Sequence, residues 1–287
     1  MKLINGNEVS QIIRLQIKDE VLKIKSSGKK VPHLAAILVG EDGASKTYVA
    51  AKEKDCLEVG FNSTVLRFDS SIIESELLLE IEKINNNPEI DGLIVQLPLP
   101  KHINEKKITE SISYKKDVDG FHPYNVGLMF KGLPTFLPAT PYGIIKLLEH
   151  YQIETGGKHC VVIGRSDIVG KPMSALMLQK NCTVTVCHSR TVDLAKFTLD
   201  ADIVIAAIGS PKFLKADMIK EGAVVIDVGI TRVDDANSKK GFRLLGDVDF
   251  EDLSEKASWI TPVPGGVGPM TRVGLLLNTL DAVRINL

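Results

Sequence analysis

The chain has 287 residues, of which 44% are hydrophobic and 25% are charged, a composition typical of a globular protein with one large or two modest domains. Its 35 Lys and Arg residues nearly balance its 36 Asp and Glu residues, so the net charge is −1. This balance gives no overall positive field for nucleic acid or an anionic membrane, and an anionic ligand must be held by local groups. Without a leader-like segment or a run of roughly 18 apolar residues, we expect a cytoplasmic protein.

Cysteine and histidine usage argues against disulfide and metal chemistry. The four cysteines form no CxxC pair, and three of them lie in or beside apolar runs, as buried structural thiols do; they are Cys56, Cys160, Cys182 and Cys187. The histidines show no ligand spacing, so we expect no bound metal.

The first half of the chain alternates helical and strand patterns. An amphipathic helix is predicted from about Asn7 to Ser27 and another from about Ile73 to Asn86, and a third contains Tyr48. Between them lie the strand patterns "HLAAILVG", "NSTVLRFD" and "DGLIVQLPLP". Strands separated by such helices indicate parallel pairing with right-handed crossovers, and ligands of such sheets gather at the carboxyl ends of the strands.

The second half repeats this class of pattern after an irregular Gly- and Pro-rich segment whose boundary we place near Pro138. The stretch "KHCVVIGRSDIVGKPMSALMLQK" reads as strand, glycine turn and helix, and the strands "TVTVCH", "ADIVIAAIG" and "GAVVIDVGI" follow it. No internal repeat is visible in the sequence. We predict a two-domain α/β fold, with residues 1–138 and a returning helix 270–287 in one domain. Residues 139–269 form a Rossmann-type, doubly wound parallel sheet.

The turn "VVIGRSDIVGKP" has the strand–turn–helix context of a dinucleotide site. Ser166 takes the place of the second glycine of GxGxxG, so a plain tight turn stays an alternative. The next strand is followed by Ser189 and Arg190, with no acidic residue before Asp193. With Arg165, these side chains suit the 2′-phosphate of NADP, while Asp193 keeps NAD as an alternative. Both arginines could equally be solvated loop cations.

Tyr48 and Lys52 lie four residues apart in a predicted helix and therefore share one face. A phenol can stack a flat ligand and a neutral amine is a competent base, although a lysine packed across a surface tyrosine is the plainer alternative. Gln96 ends an apolar strand and could bond to the lysine, to a substrate or to loop backbone. Of the two acids in "KDVDG", Asp119 is the candidate acceptor for ring N–H groups, and Asp117 the candidate turn former.

The segment "TPVPGGVGPMT" contains three prolines and three glycines in eleven residues, so it is neither helix nor regular strand. Such a loop lets a planar ligand or a nicotinamide approach the backbone closely. A structural turn before the last helix is the alternative.

These stretches together resemble the bacterial bifunctional methylenetetrahydrofolate dehydrogenase/methenyltetrahydrofolate cyclohydrolase (FolD) family. The matching stretches, in order, are "ASKTYVAAKEK", "GLIVQLPLP", "KDVDGFHPYNVG", "PATPYG", "VVIGRSDIVGKP", "CHSRT", "VVIDVGI", "GDVDF" and "TPVPGGVGPMT". Together these stretches are spread over most of the length of the chain. One departure is Ala139, where the family commonly has cysteine, and it bears on loop packing more than on chemistry.

The resemblance implies a folate-binding first domain, an NADP-binding second domain and usually a homodimer. It implies NADP-dependent oxidation of 5,10-methylenetetrahydrofolate and hydrolysis of the methenyl product to 10-formyltetrahydrofolate, within one-carbon metabolism and purine biosynthesis. By the same likeness Lys52 is the central catalytic residue, Gln96 holds it, Tyr48 stacks against folate and Asp119 anchors the pterin. Positions that match cofactor contacts are Gly164, Arg165, Ser166, Ser189 and Ile230, beside the candidate Arg190 argued above from its place after the strand. Positions that would border the substrate are Pro264, Gly265 and Gly266.

Three alternatives remain at this point. A monofunctional NAD(P)-dependent methylenetetrahydrofolate dehydrogenase would keep the hydride chemistry and lack ring opening. A relative of shikimate or amino-acid dehydrogenases would not be expected to carry "PGGVGPMT". A non-catalytic NADP-sensing module would have no use for the polar residues concentrated outside the Rossmann unit.

Overall fold

The computed structural model describes residues 1–235, 238 and 241–285, with only the backbone described at residue 285. The chain forms two compact units. The six-stranded unit combines Met1–Gln11 with Thr140–Thr271, and the three-stranded unit combines Ile12–Ala139 with Arg272–Leu287. None of the described helices combines the length and the apolar character that a membrane crossing requires.

The elements follow one another as the alternating patterns predict. In chain order the strands are β1 (Lys2–Leu3), β2 (His33–Val39), β3 (Asn62–Phe68), β4 (Gly92–Val95), β5 (His159–Ile163), β6 (Thr183–Cys187), β7 (Ile203–Ala206), β8 (Val224–Asp227), β9 (Thr231–Asp234), β10 (Phe242–Leu245) and β11 (Trp259–Ile260). The helices are α1 (Gly6–Ser26), α2 (Gly43–Val59), α3 (Glu74–Asn85), α4 (Glu105–Ser111), α5 (Pro123–Phe130), α6 (Ala139–His150), α7 (Gly170–Gln179), α8 (Ala195–Thr198), α9 (Phe250–Leu253) and α10 (Val267–Ile285), with a 3₁₀ helix at Ala216–Met218.

The three-stranded unit is a parallel sheet in the order β3-β2-β4. Its central strand, β2, is apolar along nearly its whole length because helices cover both faces of the sheet. Successive side chains of a strand point to opposite faces, and the burial follows this rule. Ala36 and Leu38 belong to the core cluster that includes α1, α2 and α10, whereas Ile37 and Val39 belong to the cluster that includes α3.

Helix α10 returns to the first domain, as predicted. Leu276 and Leu280 of this helix pack in the same buried cluster as Ile17 and Val21 of α1. The helix begins at Val267, three residues before the predicted start. Residues 286 and 287 of the predicted range lie outside the described residues.

The six-stranded unit has the strand order β1-β11-β8-β7-β5-β6, with parallel pairing throughout, and carries the antiparallel pair β9–β10. The chain leaves β5 to form β6 on one side and then returns to form β7 on the other. The carboxyl ends of β5 and β7 therefore make a topological switch point, where ligands of doubly wound sheets bind. The predicted two-domain α/β fold with a parallel Rossmann-type sheet is confirmed.

Three details differ from the sequence-based expectation. The segment "TPVPGGVGPMT" is predicted to contain no helix, but its last five residues form the start of α10. Proline is tolerated in the first turn of a helix, because its missing N–H has no partner within the helix there. Strand β1 pairs with β11 in the six-stranded sheet, although we placed the start of the chain in the first domain; two residues are too few to give a strand pattern. The segment expected to be irregular contains α5, which begins at Pro123. Proline is favoured at the first position of a helix because its missing N–H would be unsatisfied there in any case.

The four cysteines are buried free thiols, as predicted. Burial raises the pKa of Cys56 to about 12 and that of Cys182 to about 11. Among the described residues, no group of three or more His, Cys, Asp or Glu side chains is arranged to hold a metal ion.

Candidate active site

Lys52 and Gln96 meet at the carboxyl edge of the three-stranded sheet. The Lys52 Nζ donates a hydrogen bond to Gln96 Oε1 at 3.2 Å. Gln96 follows β4, and its Nε2 donates to the carbonyl of Leu97 at 2.7 Å, which turns the amide oxygen toward the lysine. Helix α2 is fixed at its start by Asp42, whose carboxylate accepts from the N–H of Ser45 at 2.7 Å. The predicted contact between lysine and amide is therefore present.

Tyr48 lies one turn before Lys52 on α2. Its side chain is 42% exposed, whereas Lys52 is partly buried. Tyr48 forms no hydrogen bond with any described residue, so the structure places it on the lysine's helix face without joining the two side chains directly. An exposed ring beside a partly buried amine is available to stack a flat ligand.

Asp117 and Asp119 have different environments. The Asp117 carboxylate shapes the turn by accepting three hydrogen bonds, from the N–H groups of Phe121 and His122 and from Asn125 Nδ2. Burial raises its pKa to about 6. Asp119 accepts no hydrogen bond from the described residues. Burial raises its pKa, and the nearby Lys52 charge lowers it by a smaller amount, so Asp119 is an unpaired acceptor near the lysine.

The backbone around Asp119 is held from two sides. Gly120 has φ +74, and a Cβ there would lie 2.5 Å from the carbonyl carbon of Leu137, so only glycine fits without displacing the chain. Asn278 of α10 donates from Nδ2 to the carbonyls of Val118 and Leu137, both at 2.7 Å. Sequence reasoning missed Asn278. The available signal was an amide side chain inside the otherwise apolar run "GLLLNTL".

The glycine turn after β5 lies at the switch point of the six-stranded sheet. Gly164 has φ +126, and a Cβ there would lie 2.2 Å from the carbonyl oxygen of Ala207, the residue after β7. A Cβ on Gly170 would lie 2.3 Å from the carbonyl oxygen of Gly164. This close packing of strand, turn and helix is what dinucleotide-binding turns require of their glycines.

Polar and cationic side chains surround this turn. Ser166 Oγ accepts at 3.2 Å from two backbone N–H groups at the start of α7, those of Val169 and Gly170, which leaves its own proton for a ligand. Arg165, Ser189 and Arg190 are exposed. They follow the adjacent parallel strands β5 and β6, so the structure brings them to one edge, where an anionic phosphate would fit.

The remaining candidates lie in two loops of the same unit. Ile230 follows β8 and is 49% exposed. Pro264 is exposed and Gly265 has φ +105. The N–H of Asn7 donates to the carbonyl of Gly265 at 3.1 Å, and a Cβ on Gly266 would lie 2.6 Å from a carbonyl oxygen of the same loop. The loop is therefore compact around Gly265 and Gly266.

These features define a class: a two-unit α/β protein with a dinucleotide-type turn in one unit and a lysine–amide pair in the other. The family model of the tetrahydrofolate dehydrogenase/cyclohydrolase catalytic domain matches residues 4–119, and that of the corresponding NAD(P)-binding domain matches residues 138–287. The chain therefore belongs to the tetrahydrofolate dehydrogenase/cyclohydrolase family. The predicted family and the predicted nicotinamide dinucleotide cofactor are confirmed.

Individual relatives cover the whole chain. "Bifunctional protein FolD" of Bacteroides fragilis is 60% identical over 286 residues, which is 98% of each chain. A crystal structure of the bifunctional enzyme from Campylobacter jejuni is 47% identical, with a TM-score of 0.95 and full coverage of both chains. The Trypanosoma brucei enzyme, solved with NADP and an inhibitor, is 36% identical, with a TM-score of 0.94 over 99% of this chain and 97% of that one.

Proposed function

We propose that the protein oxidises 5,10-methylenetetrahydrofolate with NADP and then hydrolyses the methenyl product to 10-formyltetrahydrofolate. The observation that carries this proposal is the 3.2 Å hydrogen bond between Lys52 and Gln96, beside the unpaired carboxylate of Asp119. Both family domains are present on the same chain, which supports dehydrogenase and cyclohydrolase activities in one protein.

In the first reaction a hydride leaves the methylene carbon of the substrate for the nicotinamide ring, which supplies the hydride acceptor when NADP is bound. The loss of the hydride leaves the methenyl cation. Tyr48 stacks against the folate, and the Asp119 carboxylate accepts hydrogen bonds from the N–H groups of the pterin. Holding the substrate in one orientation is itself a large part of such catalysis.

In the second reaction water adds to the methenyl carbon and loses one proton. The second proton of that water passes to the departing ring nitrogen as its bond to the carbon breaks, and the carbon stays on the other nitrogen as the formyl group. The amine of Lys52 takes part in moving the first proton, and Gln96 holds the amine in place. Proton transfer by a positioned side chain contributes roughly 10²–10⁴-fold to a rate. In this role the amine of Lys52 is held by the neutral amide oxygen of Gln96, and it forms no ion pair with a described carboxylate.

The edge of the six-stranded sheet fits NADP. Gly164 allows the pyrophosphate to approach the backbone, and the Ser166 hydroxyl donates to it. Arg165, Ser189 and Arg190 bind the 2′-phosphate, for which planar guanidinium groups and hydroxyls are suited. Ile230 contacts the cofactor, and Pro264, Gly265 and Gly266 border the substrate and the nicotinamide.

The test is a spectrophotometric assay of wild type and Lys52→Met with methylenetetrahydrofolate and either NADP or NAD. Lys52→Met should abolish the decay of methenyl absorbance, because the variant keeps the side-chain length but has no amine to handle the proton. Its thermal unfolding should match that of wild type. Lys54→Met is the control, since Lys54 is an exposed lysine on the same helix.

Undiminished ring opening in Lys52→Met would remove the lysine from the mechanism. A wild-type protein that forms NADPH but leaves the methenyl product at the rate of the protein-free blank would be a monofunctional dehydrogenase. Faster turnover with NAD than with NADP would contradict the assignment of the 2′-phosphate site.

We also propose a homodimer located in the cytoplasm, with folate as a small-molecule substrate, no nucleic-acid partner and a place in purine biosynthesis. The similarity over the whole length to relatives named "Bifunctional protein FolD" supports the folate substrate, and the family resemblance implies the dimer and the pathway. Light scattering on a size-exclusion column tests the dimer, and a monomeric mass would contradict it.

A further inference from the structure

The loop after β7 is held by one buried carboxylate. Asp247 is fully buried, and its two carboxylate oxygens accept from three consecutive backbone N–H groups, those of Ile208 at 2.7 Å, Gly209 at 3.0 Å and Ser210 at 2.7 Å. Three donors in succession fix the direction of the loop as it leaves the sheet. The loop therefore depends on Asp247 for its conformation.

A second buried carboxylate holds the backbone that carries the first. Asp227, at the end of β8, is 3% exposed, and it accepts from the N–H groups of Asp247 at 2.8 Å, Val248 at 3.0 Å and Gly229 at 3.0 Å. The N–H of Asp227 in turn donates to Thr261 Oγ1 at 2.7 Å. We call Asp227 and Asp247 the carboxylate pair.

Each member of the carboxylate pair packs against a glycine beside the other member. A Cβ on Gly246 would lie 1.8 Å from Asp227 Oδ2, and a Cβ on Gly229 would lie 2.2 Å from Asp247 Oδ1. Distances of this size leave room for hydrogen only. The two acids and the two glycines therefore form one interlocked unit in which a longer or branched side chain does not fit.

The carboxylate pair is unusual in its electrostatics. Neither acid forms an ion pair with any described residue, and burying a carboxylate without a cation is costly unless hydrogen bonds replace the lost water. Burial raises the pKa of Asp227 to about 7, the N–H donors offset part of this rise, and the charge of Asp247 adds to it. An apolar pair would fill the same space but would leave six backbone N–H groups without acceptors, so the acids hold the backbone as well as fill space.

The segments that the pair joins all lie at the proposed cofactor edge. Ala207, which begins the loop after β7, contacts Gly164 of the glycine turn. Gly229 directly precedes Ile230, and Thr261 opens the loop that leads to Gly265. The pair is therefore the hydrogen-bonded link among three loops of the nucleotide unit.

We infer that Asp227 and Asp247 are positioning residues whose carboxylates fix the loops after β7 and β8 in the geometry required to bind NADP. The inference rests on the proposed function, because it takes this edge as the cofactor site. Neither acid touches a reacting atom, and both act through the backbone that they hold.

The experiment compares Asp227→Asn and Asp247→Asn with Asp202→Asn. The asparagines keep the shape of the side chain but replace one acceptor oxygen with a donor, which opposes the N–H groups. Asp202 is the matched control, because in the same unit it accepts from a backbone N–H at 3.0 Å at the amino end of the sheet. Each variant is assayed for the KM of NADP in the oxidation and for opening of supplied methenyl substrate without NADP.

The carboxylate-pair variants should raise the KM of NADP roughly tenfold or more and change ring opening by no more than about twofold. The control should leave both parameters within about twofold of wild type. Thr261→Val removes the two hydrogen bonds between Thr261 Oγ1 and the backbone of Asp227. It should raise the KM of NADP in the same direction by a smaller factor, and it replaces an asparagine variant that does not fold.

The inference would be overturned if the KM for NADP were unchanged in Asp227→Asn, Asp247→Asn and Thr261→Val. It would also be overturned by equal losses in both reactions, which would leave the pair a purely structural role. A wild-type protein that oxidises no methylenetetrahydrofolate would instead overturn the proposed function. In that case fluorescence titration of NADP into the same variants still decides whether the carboxylate pair fixes a nucleotide site.

Discussion

In the three-stranded unit, His33 begins the central strand β2, and its N–H donates to Asp91 at 2.9 Å while its ring Nε2 contacts Thr64 Oγ1 at 2.8 Å. Lys30 pairs with Asp91 at 2.8 Å. These contacts tie together the amino ends of all three strands, since Asp91 directly precedes β4 and Thr64 lies in β3.

In the six-stranded unit, His159 begins β5 in the same way. Its N–H donates to Asp202 at 3.0 Å and its Nε2 contacts Thr185 Oγ1 at 3.0 Å, while Lys220 pairs with Asp202 at 2.7 Å. The order β6-β5-β7 also matches the order β3-β2-β4. The two units therefore share one arrangement at the amino ends of their strands.

The carboxyl ends differ in one decisive respect. Gly40 and Gly164 each follow the central strand with positive φ, and their N–H groups donate at 2.9 Å and 2.8 Å to the neighbouring strand. A Cβ on Gly40 would approach Ser70 no closer than 3.5 Å, an ordinary contact, whereas one on Gly164 would lie 2.2 Å from a carbonyl oxygen. The tight turn has the close packing that dinucleotide-binding turns require, and the open turn leads to α2, the helix that carries Lys52.

The largest expected effect separates these two glycines. Gly164→Ala should lower NADP-dependent oxidation at least about 10²-fold, because the turn must move and misplace the cofactor. Gly40→Ala should cost about 1–2 kcal/mol of stability from its positive φ and leave NADP binding intact. NADP titration with urea unfolding measures both quantities. Equal losses of NADP binding would show that close packing at Gly164 is not what distinguishes the turns.

A buried acid in each of the two units gives a pH-dependent comparison. Burial raises the folded-state pKa from 3.8 to about 6 for Asp117 and to about 7 for Asp227. Each acid therefore contributes its full stability below pH 3.8, the pKa of the unfolded chain. That contribution is lost as the pH rises from 3.8 through the folded-state pKa. The free-energy gap between wild type and each Asn variant should shrink with rising pH, by up to about 3 kcal/mol for Asp117 and about 4 kcal/mol for Asp227.

Urea unfolding at a series of pH values from acid to neutral measures this gap for each variant. The gap should stop changing at a lower pH for Asp117→Asn than for Asp227→Asn. A gap that widens with pH would contradict the raised pKa values.

The smallest effect compares the matched acids at the amino ends. The Asp91 side chain is 5% exposed and that of Asp202 is 33% exposed. Asp91→Ala should cost about 3 kcal/mol, because it leaves the backbone N–H of His33 without an acceptor and removes an ion pair whose carboxylate is almost fully buried, whereas Asp202→Ala should cost about 1 kcal/mol. Urea unfolding measures both. Equal costs would mean that burial does not set the strength of this shared arrangement.

The sequence was most informative where a residue's function depends on its immediate neighbours. The glycine turn, the strand-end Gln96 and the helix carrying Lys52 all follow from local periodicity and turn chemistry. Asn278 bonds to a residue 160 positions away, and Asp247 reaches back 39 positions to Ile208, so no local pattern marks either of them.

The shared amino-end arrangement escaped detection for a related reason. The histidine and aspartate are 58 positions apart in one unit and 43 in the other, and the histidine and threonine are 31 and 26 apart. The contacts are equivalent in space, but crossovers of different length separate them along the chain. A search for a fixed period in the sequence does not find such a repeat.

The buried thiols allow the two units to be followed independently. Cys56 lies in the core of the three-stranded unit, whereas Cys160, Cys182 and Cys187 lie in the six-stranded unit. A thiol reacts with an alkylating reagent only when its surroundings open and its proton is lost. Mass spectrometry of the intact protein during slow alkylation would therefore report the opening rate of each unit, because one thiol belongs to the three-stranded unit and three belong to the six-stranded unit.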